Sequence, residues 1–379
     1  MNSSHAITKL TLENFRNYRS LSLAVPAQPV ILTGHNGAGK TNILEAISLL
    51  CPGRGIRKST LKQMDNMAAG GAPWVVAVEL QSRDELYHIG MGRDAEGLRD
   101  KRILKIDGEV KRQHGILTQY ASVQWLTPAM DQVFMEGGTA RRKFLDRIVY
   151  SFDPEHATRT AQYELSMRER NKLLGDRAMA DPYWLSVLEQ QMAEAGVAIT
   201  IARQETLARV SQAMQELNPH FPKAITELQG TLEAWLSSGL SALETEAKFA
   251  ARLAEIRGLD SAAGRAMEGA HRSHFHVIHS VKNALAEQCS TGEQKALLLS
   301  LILSAAQARS KWCGLPPILL LDEVVAHLDV DKRNCLFDLI SSTAIQAWMT
   351  GTDAADFQGL QAFATVVEIA AGEALIKVQ

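Results

Sequence analysis

Gly34-His35-Asn36-Gly37-Ala38-Gly39-Lys40-Thr41 decides the fold. The stretch satisfies G-x-x-x-x-G-K-[ST], and its flanks meet the structural condition for a phosphate loop. Before it, Val30-Ile31-Leu32-Thr33 is a short apolar run of β character, suited to a buried strand. After it, Asn42 to Leu50 carries apolar residues at helical spacing and closes on Cys51-Pro52-Gly53. Strand, glycine loop and helix together make an anion site. Glycine lets the backbone approach closely at positive φ, and successive N–H groups converge on a phosphate. The helix N-terminus adds roughly half a positive charge. The loop is therefore expected to cradle the phosphates of ATP, with Lys40 on the β- and γ-phosphates and the Thr41 hydroxyl on Mg²⁺.

The second half of such a machine lies far along the chain. Ile318-Leu319-Leu320-Leu321-Asp322-Glu323 is an apolar run ending in two carboxylates. An acid at the C-terminal end of a parallel strand lies in the ligand crevice of an open α/β sheet. Asp322 is expected to share the Mg²⁺ with Thr41, and Glu323 to orient and deprotonate the attacking water. Upstream, Ser290-Thr291-Gly292-Glu293-Gln294 opens a strongly apolar helix. Ser-x-Gly-x-Gln at a helix start resembles the signature of ABC-type ATPases, which binds the γ-phosphate held by an opposite subunit. A hydroxyl, free N–H groups and a helix dipole make a second anion site there; a plain helix cap is the bland alternative. Ala326-His327-Leu328-Asp329 fits the D-loop position, which puts Asp329 at the dimer contact.

The 379 residues allow two or three lobes, and 46% hydrophobic with 22% charged content is ordinary for a globular protein. Residues 6 to 12, 20 to 25, 74 to 80 and 86 to 92 read as strands, and 103 to 110 as a hairpin on Asp107-Gly108. From 126 to 270 the period turns helical, without a sustained heptad seam. The fold expected is α/β: a phosphate-loop ABC-type ATPase head with an antiparallel β subdomain and an inserted helical lobe. The head is assigned 1–125 plus 271–379, and the lobe 126–270. Four scattered cysteines form no C-x-x-C pair and imply a reducing compartment. The apolar run from Ala296 to Ala306 is too short to span a bilayer. A cytoplasmic protein with no membrane partner is expected.

Assembled, these residues make the chain similar to the RecF family of bacterial recombination-repair ATPases, themselves similar to structural-maintenance-of-chromosomes heads without the long coiled coil. The resemblance also rests on Leu12 to Tyr18, Arg141 to Asp146, Arg168 to Leu174 and Gly269-Ala270-His271-Arg272. It implies an ATP-dependent homodimer on DNA at gaps or single-strand/duplex junctions, slow hydrolysis, and cooperation with RecR and RecO to load RecA. By the same analogy Arg16 touches the nucleotide. Two departures stand out. Thr127 occupies the neighbourhood where ABC proteins place a glutamine, Gln124 lying three residues early. Thr350-Gly351-Thr352-Asp353 replaces the switch histidine. His271, His274, His276 and His279 mix two periods, which argues against a metal site.

A net charge of −2 means that any basic surface is local. Arg54, Arg57, Lys58 and Lys62 lie in an acid-free stretch, and Arg99, Lys101, Arg102, Lys105, Lys111 and Arg112 outnumber nearby acids. With Arg141, Arg142 and Lys143 they suit contacts to the DNA backbone without sequence readout. An ABC transporter's motor subunit is the alternative function. The 282 positions from Lys40 to Asp322 exceed what a transport motor normally needs. A phosphotransferase would lack Ser290-Thr291-Gly292 and would need an acceptor site.

Overall fold

The computed structural model describes residues 5–94, 101–176, 181–325, 328–343, 345–370 and 372–377. Two compact units form: Met1–Asp131 with Glu216–Phe221 and Leu298–Gln379, and Gln132–Gln215 with Pro222–Leu297.

The first unit holds two sheets. β1 (His5–Phe15), β2 (Tyr18–Ala24), β4 (Val75–Ser82), β5 (Glu85–Asp94), β6 (Lys101–Ile106) and β7 (Glu109–Val110) pair antiparallel in the order β2-β1-β4-β5-β6-β7. Their alternating burial matches one covered face. Phe15 pairs with Tyr18, so the strands run further than expected and Arg16-Asn17 forms a two-residue turn. Ile106 pairs with Glu109 across Asp107-Gly108, both at positive φ (50° and 85°), as a tight hairpin turn requires.

The second sheet carries the chemistry. β3 (Val30–Thr33), β8 (Val123–Leu126), β12 (Ile318–Leu321), β13 (Ala347–Thr350), β14 (Thr365–Ala370) and β15 (Glu373–Lys377) run in the order β15-β14-β3-β13-β12-β8. All neighbours are parallel except β15 on β14. Every residue of β3, β8, β12 and β13 is buried, the pattern of parallel strands covered on both faces. α1 (Lys40–Ser48) packs on β8 and β13; α2 (Leu117–Tyr120) precedes β8, and α10 (Val330–Ser342) lies between β12 and β13 in sequence. Gln346 joins the two sheets: its amide accepts from Ile7 N–H at 2.8 Å and donates to Ile7 C=O at 2.9 Å.

The second unit contains α3 (Gly138–Val149), α4 (His156–Gly175), α5 (Pro182–Glu216), α6 (Thr231–Ser237), α7 (Ala242–Glu255) and α8 (Arg257–Ala263). It is not wholly helical. β9 (Ala224–Gln229), β10 (His274–His279) and β11 (Ala284–Leu285) form an antiparallel sheet ordered β11-β10-β9. Because β10 pairs with β9 along its length, residues 271–297 pack with this unit and not with the head, contrary to the assignment from sequence. α9 (Thr291–Cys313) starts in the second unit and continues into the first. The second unit's core is built on Tyr163, Met192, Val197, Leu232, Phe249 and Leu253.

Candidate nucleotide-binding site

The ends of β3, β13 and β12 are neighbours in the parallel sheet, which brings Gly34, Thr350 and Asp322 to one edge. Gly34 has φ 138°, and a Cβ there would lie 2.2 Å from the Ile369 carbonyl oxygen of β14. Gly39, at φ 116°, is crowded from the other side: its Cβ would meet Asn17 Nδ2 at 2.5 Å and the Tyr18 hydroxyl at 2.6 Å. His35, Asn36 and Gly37 form the exposed crest of the loop; Ala38 is half-buried and donates its N–H to His35 C=O at 3.1 Å. Lys40 is 5% exposed, and its Nζ donates to the carbonyls of Gly34 (2.5 Å) and His35 (2.9 Å). Burial pushes its ammonium below the ordinary value, while Glu323 and Asp322 pull in the opposite direction.

Thr41 and Asp322, 281 positions apart, meet here. The Thr41 hydroxyl lies 3.0 and 3.2 Å from the two Asp322 carboxylate oxygens. Two hard oxygen ligands on the lip of a phosphate cradle fit a Mg²⁺ that completes its shell with phosphate and water. Asp322 is also braced by Thr350, whose hydroxyl donates to Asp322 Oδ1 at 2.8 Å and accepts from Glu323 N–H at 2.9 Å. Sequence reading treated Thr350 only as the replacement for a histidine. Its role depends on strand register: Leu321 lies opposite Met349, so the next residues, Asp322 and Thr350, emerge side by side. Glu323 sits at φ 54°, a strained conformation for a non-glycine residue that costs about 1–3 kcal/mol and clusters at functional sites.

Arg16 goes elsewhere. Its guanidinium is engaged by Glu45 (2.8 and 2.5 Å), the Gln63 carbonyl (2.6 Å) and the Ser59 hydroxyl (2.6 Å). Glu45 is fully buried on α1, so Arg16 neutralises it and is not turned toward the loop. The neighbouring Asn17 touches the loop instead, donating to Ala38 C=O at 3.0 Å and accepting from Asn42 at 2.6 Å. Arg57 donates to Asn42 Oδ1 at 2.7 Å and completes the chain. Gln124 is fully buried in β8 opposite Leu319, while Thr127 follows the strand end and is buried too.

In the second unit, Ser290 precedes α9. Its N–H and hydroxyl both donate to Glu293 at 3.0 Å, and Lys282 Nζ lies 2.5 Å from the same carboxylate. The Lys282 contact first, and then Ser290, hold Glu293 down to about 2. Ser290, Thr291 and Gly292 are exposed, whereas Gln294 is buried and turned to the Cys289 carbonyl at 3.0 Å. Asp329 caps α10, accepting from Lys332 N–H at 2.9 Å. Ala326, His327 and Arg99 lie outside the described residues. Among the basic candidates, Arg142 donates to Ser273 C=O at 3.0 Å and Arg141 pairs with Glu287, so both brace the second unit; Lys143 is exposed. His271 bonds Tyr163 and the Ala266 carbonyl at 2.8 and 3.0 Å.

A family profile described as the RecF/RecN/SMC N terminal domain matches residues 6–373. A DNA replication and repair protein RecF of Rhizobium rhizogenes is 43% identical over 368 residues, covering 97% of each chain. The chain belongs to the RecF family. A second RecF relative, from Mesorhizobium japonicum, is 45% identical over 357 residues and 93% of both chains. A solved RecF with ATP from the RecFOR pathway is similar at a TM-score of 0.86 and 23% identity, covering 100% of this chain and 99% of that one. The Smc head of Pyrococcus furiosus with ScpA's C-terminal domain follows at 0.54 and 15%, covering 98% and 96%. The fold is thus a RecF and SMC-type ATPase head. No helix among the described residues is long and apolar enough to cross a membrane.

Proposed function

We propose that this chain is an ATP-dependent DNA-binding ATPase of recombinational repair and replication, in which ATP joins two copies on DNA. The carrying observation is the Thr41–Asp322 pair braced by Thr350, which brings phosphate loop and acidic strand end into one site. Lys40 would hold the β- and γ-phosphates, and Thr41 with Asp322 would hold Mg²⁺, whose charge offsets that of the phosphates. Glu323 is the residue to take a proton from the attacking water. The exposed Ser290, Thr291 and Gly292 would meet the γ-phosphate of a second copy, with Asp329 at the dimer contact; Asn17 and Arg57 would serve the nucleotide in place of Arg16. Hydrolysis is slow, because no switch histidine follows β13. The RecF relatives' names support DNA replication and repair, and the RecFOR pathway named for a solved RecF fits RecR and RecO as partners; action at DNA gaps and the loading of RecA are carried over from the family resemblance. The family match across residues 6–373, inserted lobe included, favours this reading over a transporter motor.

Sedimentation with ATP, ADP or no nucleotide, with and without gapped duplex, tests it. Dimers are expected with ATP alone, gaining stability on DNA. Equal turnover per chain at all protein concentrations, from a species that stays monomeric, would reject the shared site.

A further inference from the structure

A cavity of about 440 Å³ opens in the first unit, beyond the C-terminal end of α1, the helix that follows the phosphate loop. Its walls come from two stretches some fifty positions apart: Arg54, Ser59 and Thr60 from the loop after α1, Arg102 from β6 and His114 just beyond β7. The volume is that of a small-ligand site. No aspartate or glutamate lines it among the described residues. Arg102 reaches across to the end of α1, donating to the Gly53 carbonyl at 3.1 Å and to Leu49 C=O, and has no carboxylate partner among the described residues. The Arg102 Nε and His114 Nδ1 atoms are buried without a hydrogen-bond partner. Burial pushes the Arg102 guanidinium down to about 10, and burial followed by the Arg102 charge lowers the His114 imidazole. A concave, acid-free wall with a desolvated cation favours an anion strongly, because the charge there is otherwise uncompensated. The exposed Arg54 and Thr60 supply direct donors to a phosphate, whereas the Ser59 hydroxyl is held by Arg16 at 2.6 Å and Glu45 at 3.4 Å. Leu61, half-buried, adds apolar surface for a sugar or base.

We infer that this cavity binds one phosphate-bearing nucleotide of a DNA strand, with Arg54 and Thr60 on the phosphate, Arg102 supplying the field and the His114 imidazole lining the wall. This rests on the DNA reading above but assigns a discrete subsite to what sequence shows only as scattered basic residues. The subsite also ties the loop after α1, which holds Arg57 on Asn42 beside the phosphate loop, to the presence of DNA.

The test measures binding of the full chain to a labelled gapped duplex across salt concentrations, for parent, Arg54→Glu, His114→Gln and a Lys248→Glu control. Arg54→Glu is expected to weaken binding about ten-fold and to reduce the salt slope by about one, and His114→Gln to weaken binding with the slope kept, ATP binding by the monomer being unchanged in both. Parent-like affinity and slope in both variants would overturn the subsite and leave the DNA reading standing. If the parent binds no DNA, that reading falls. Titration with inorganic phosphate, followed by the His114 imidazole signal, then decides: a response lost in Arg54→Glu keeps the phosphate site with free phosphate as its ligand, and no response overturns it. Displacement of bound DNA by millimolar dAMP would identify a nucleotide site that free nucleotides share.

Discussion

Thr350 stands where an ABC-type ATPase would carry its switch histidine, and its hydroxyl joins the two carboxylate residues of the site. Thr350→Val removes both bonds while keeping volume, so Asp322 loses a donor and the Glu323 N–H an acceptor. Turnover should fall roughly 10–100-fold, the usual effect of removing a residue that orients a metal ligand. Thr350→Ser should restore most of it, and nucleotide affinity without Mg²⁺ should not move. Unchanged turnover in Thr350→Val, measured by phosphate release, would reject the bracing role. Lys40→Arg replaces a point charge inserted under the loop by a planar fork and should abolish ATP-induced dimers. Glu323→Gln keeps the strained backbone but removes the proposed base, and should leave a closed dimer that retains DNA. Faster DNA release from that variant would count against Glu323 as the base.

At the scale of elements, the motifs of the inserted segment turn out to organise packing. Arg170 is fully buried and bonds Glu189, Asp260 and the Leu253 carbonyl, so it ties α4 to α5, α7 and α8. Arg170→Ala would leave two carboxylates without it and should cost about 3–5 kcal/mol, read as a lower denaturant midpoint. Asp146 joins α3 to α4 and α5 through His156 and Arg203. Burial opposes its ionisation, but the Arg203 charge and the hydrogen bonds of His156 and Arg203 hold it down to about 2. Its folded value lies below the unfolded one, so its contribution is full above pH 4 and fades as pH falls toward 2. His271 is lowered to about 4, chiefly by burial between Tyr163 and the Ala266 carbonyl. It remains neutral in the fold while the unfolded chain takes up a proton near pH 6.5, so stability falls between pH 6.5 and 4. Urea unfolding should show a loss on the order of 2 kcal/mol from this group between pH 7 and 5. A parent whose stability is equal at the two values would contradict the neutral, buried imidazole.

For the whole molecule, the proposed dimer makes the nucleotide a conformational ligand: it would favour pairing only by binding the paired state more tightly. Ser290→Arg should therefore spare ATP binding by the monomer and block dimers, because the long side chain would fill the space that the second copy's triphosphate must enter. DNA retention should fall with pairing. Variants that still pair with ATP would show that this segment is not the second half of the site.

Local chemistry was enough to establish the phosphate loop, the acidic strand end and the family. A glycine turn, a lysine and an apolar run ending in carboxylates declare themselves within a few residues, and Thr41 with Asp322 needed only the parallel-sheet rule to be placed together. Long-range pairing decided the rest. Thr350 joined the site through the register of β12 on β13, Arg16 was drawn to Glu45 because a buried carboxylate needs a cation, and β10 left the head because its partner strand is β9. Periodicity reports which face of a segment is buried; it carries no information about which distant segment buries it.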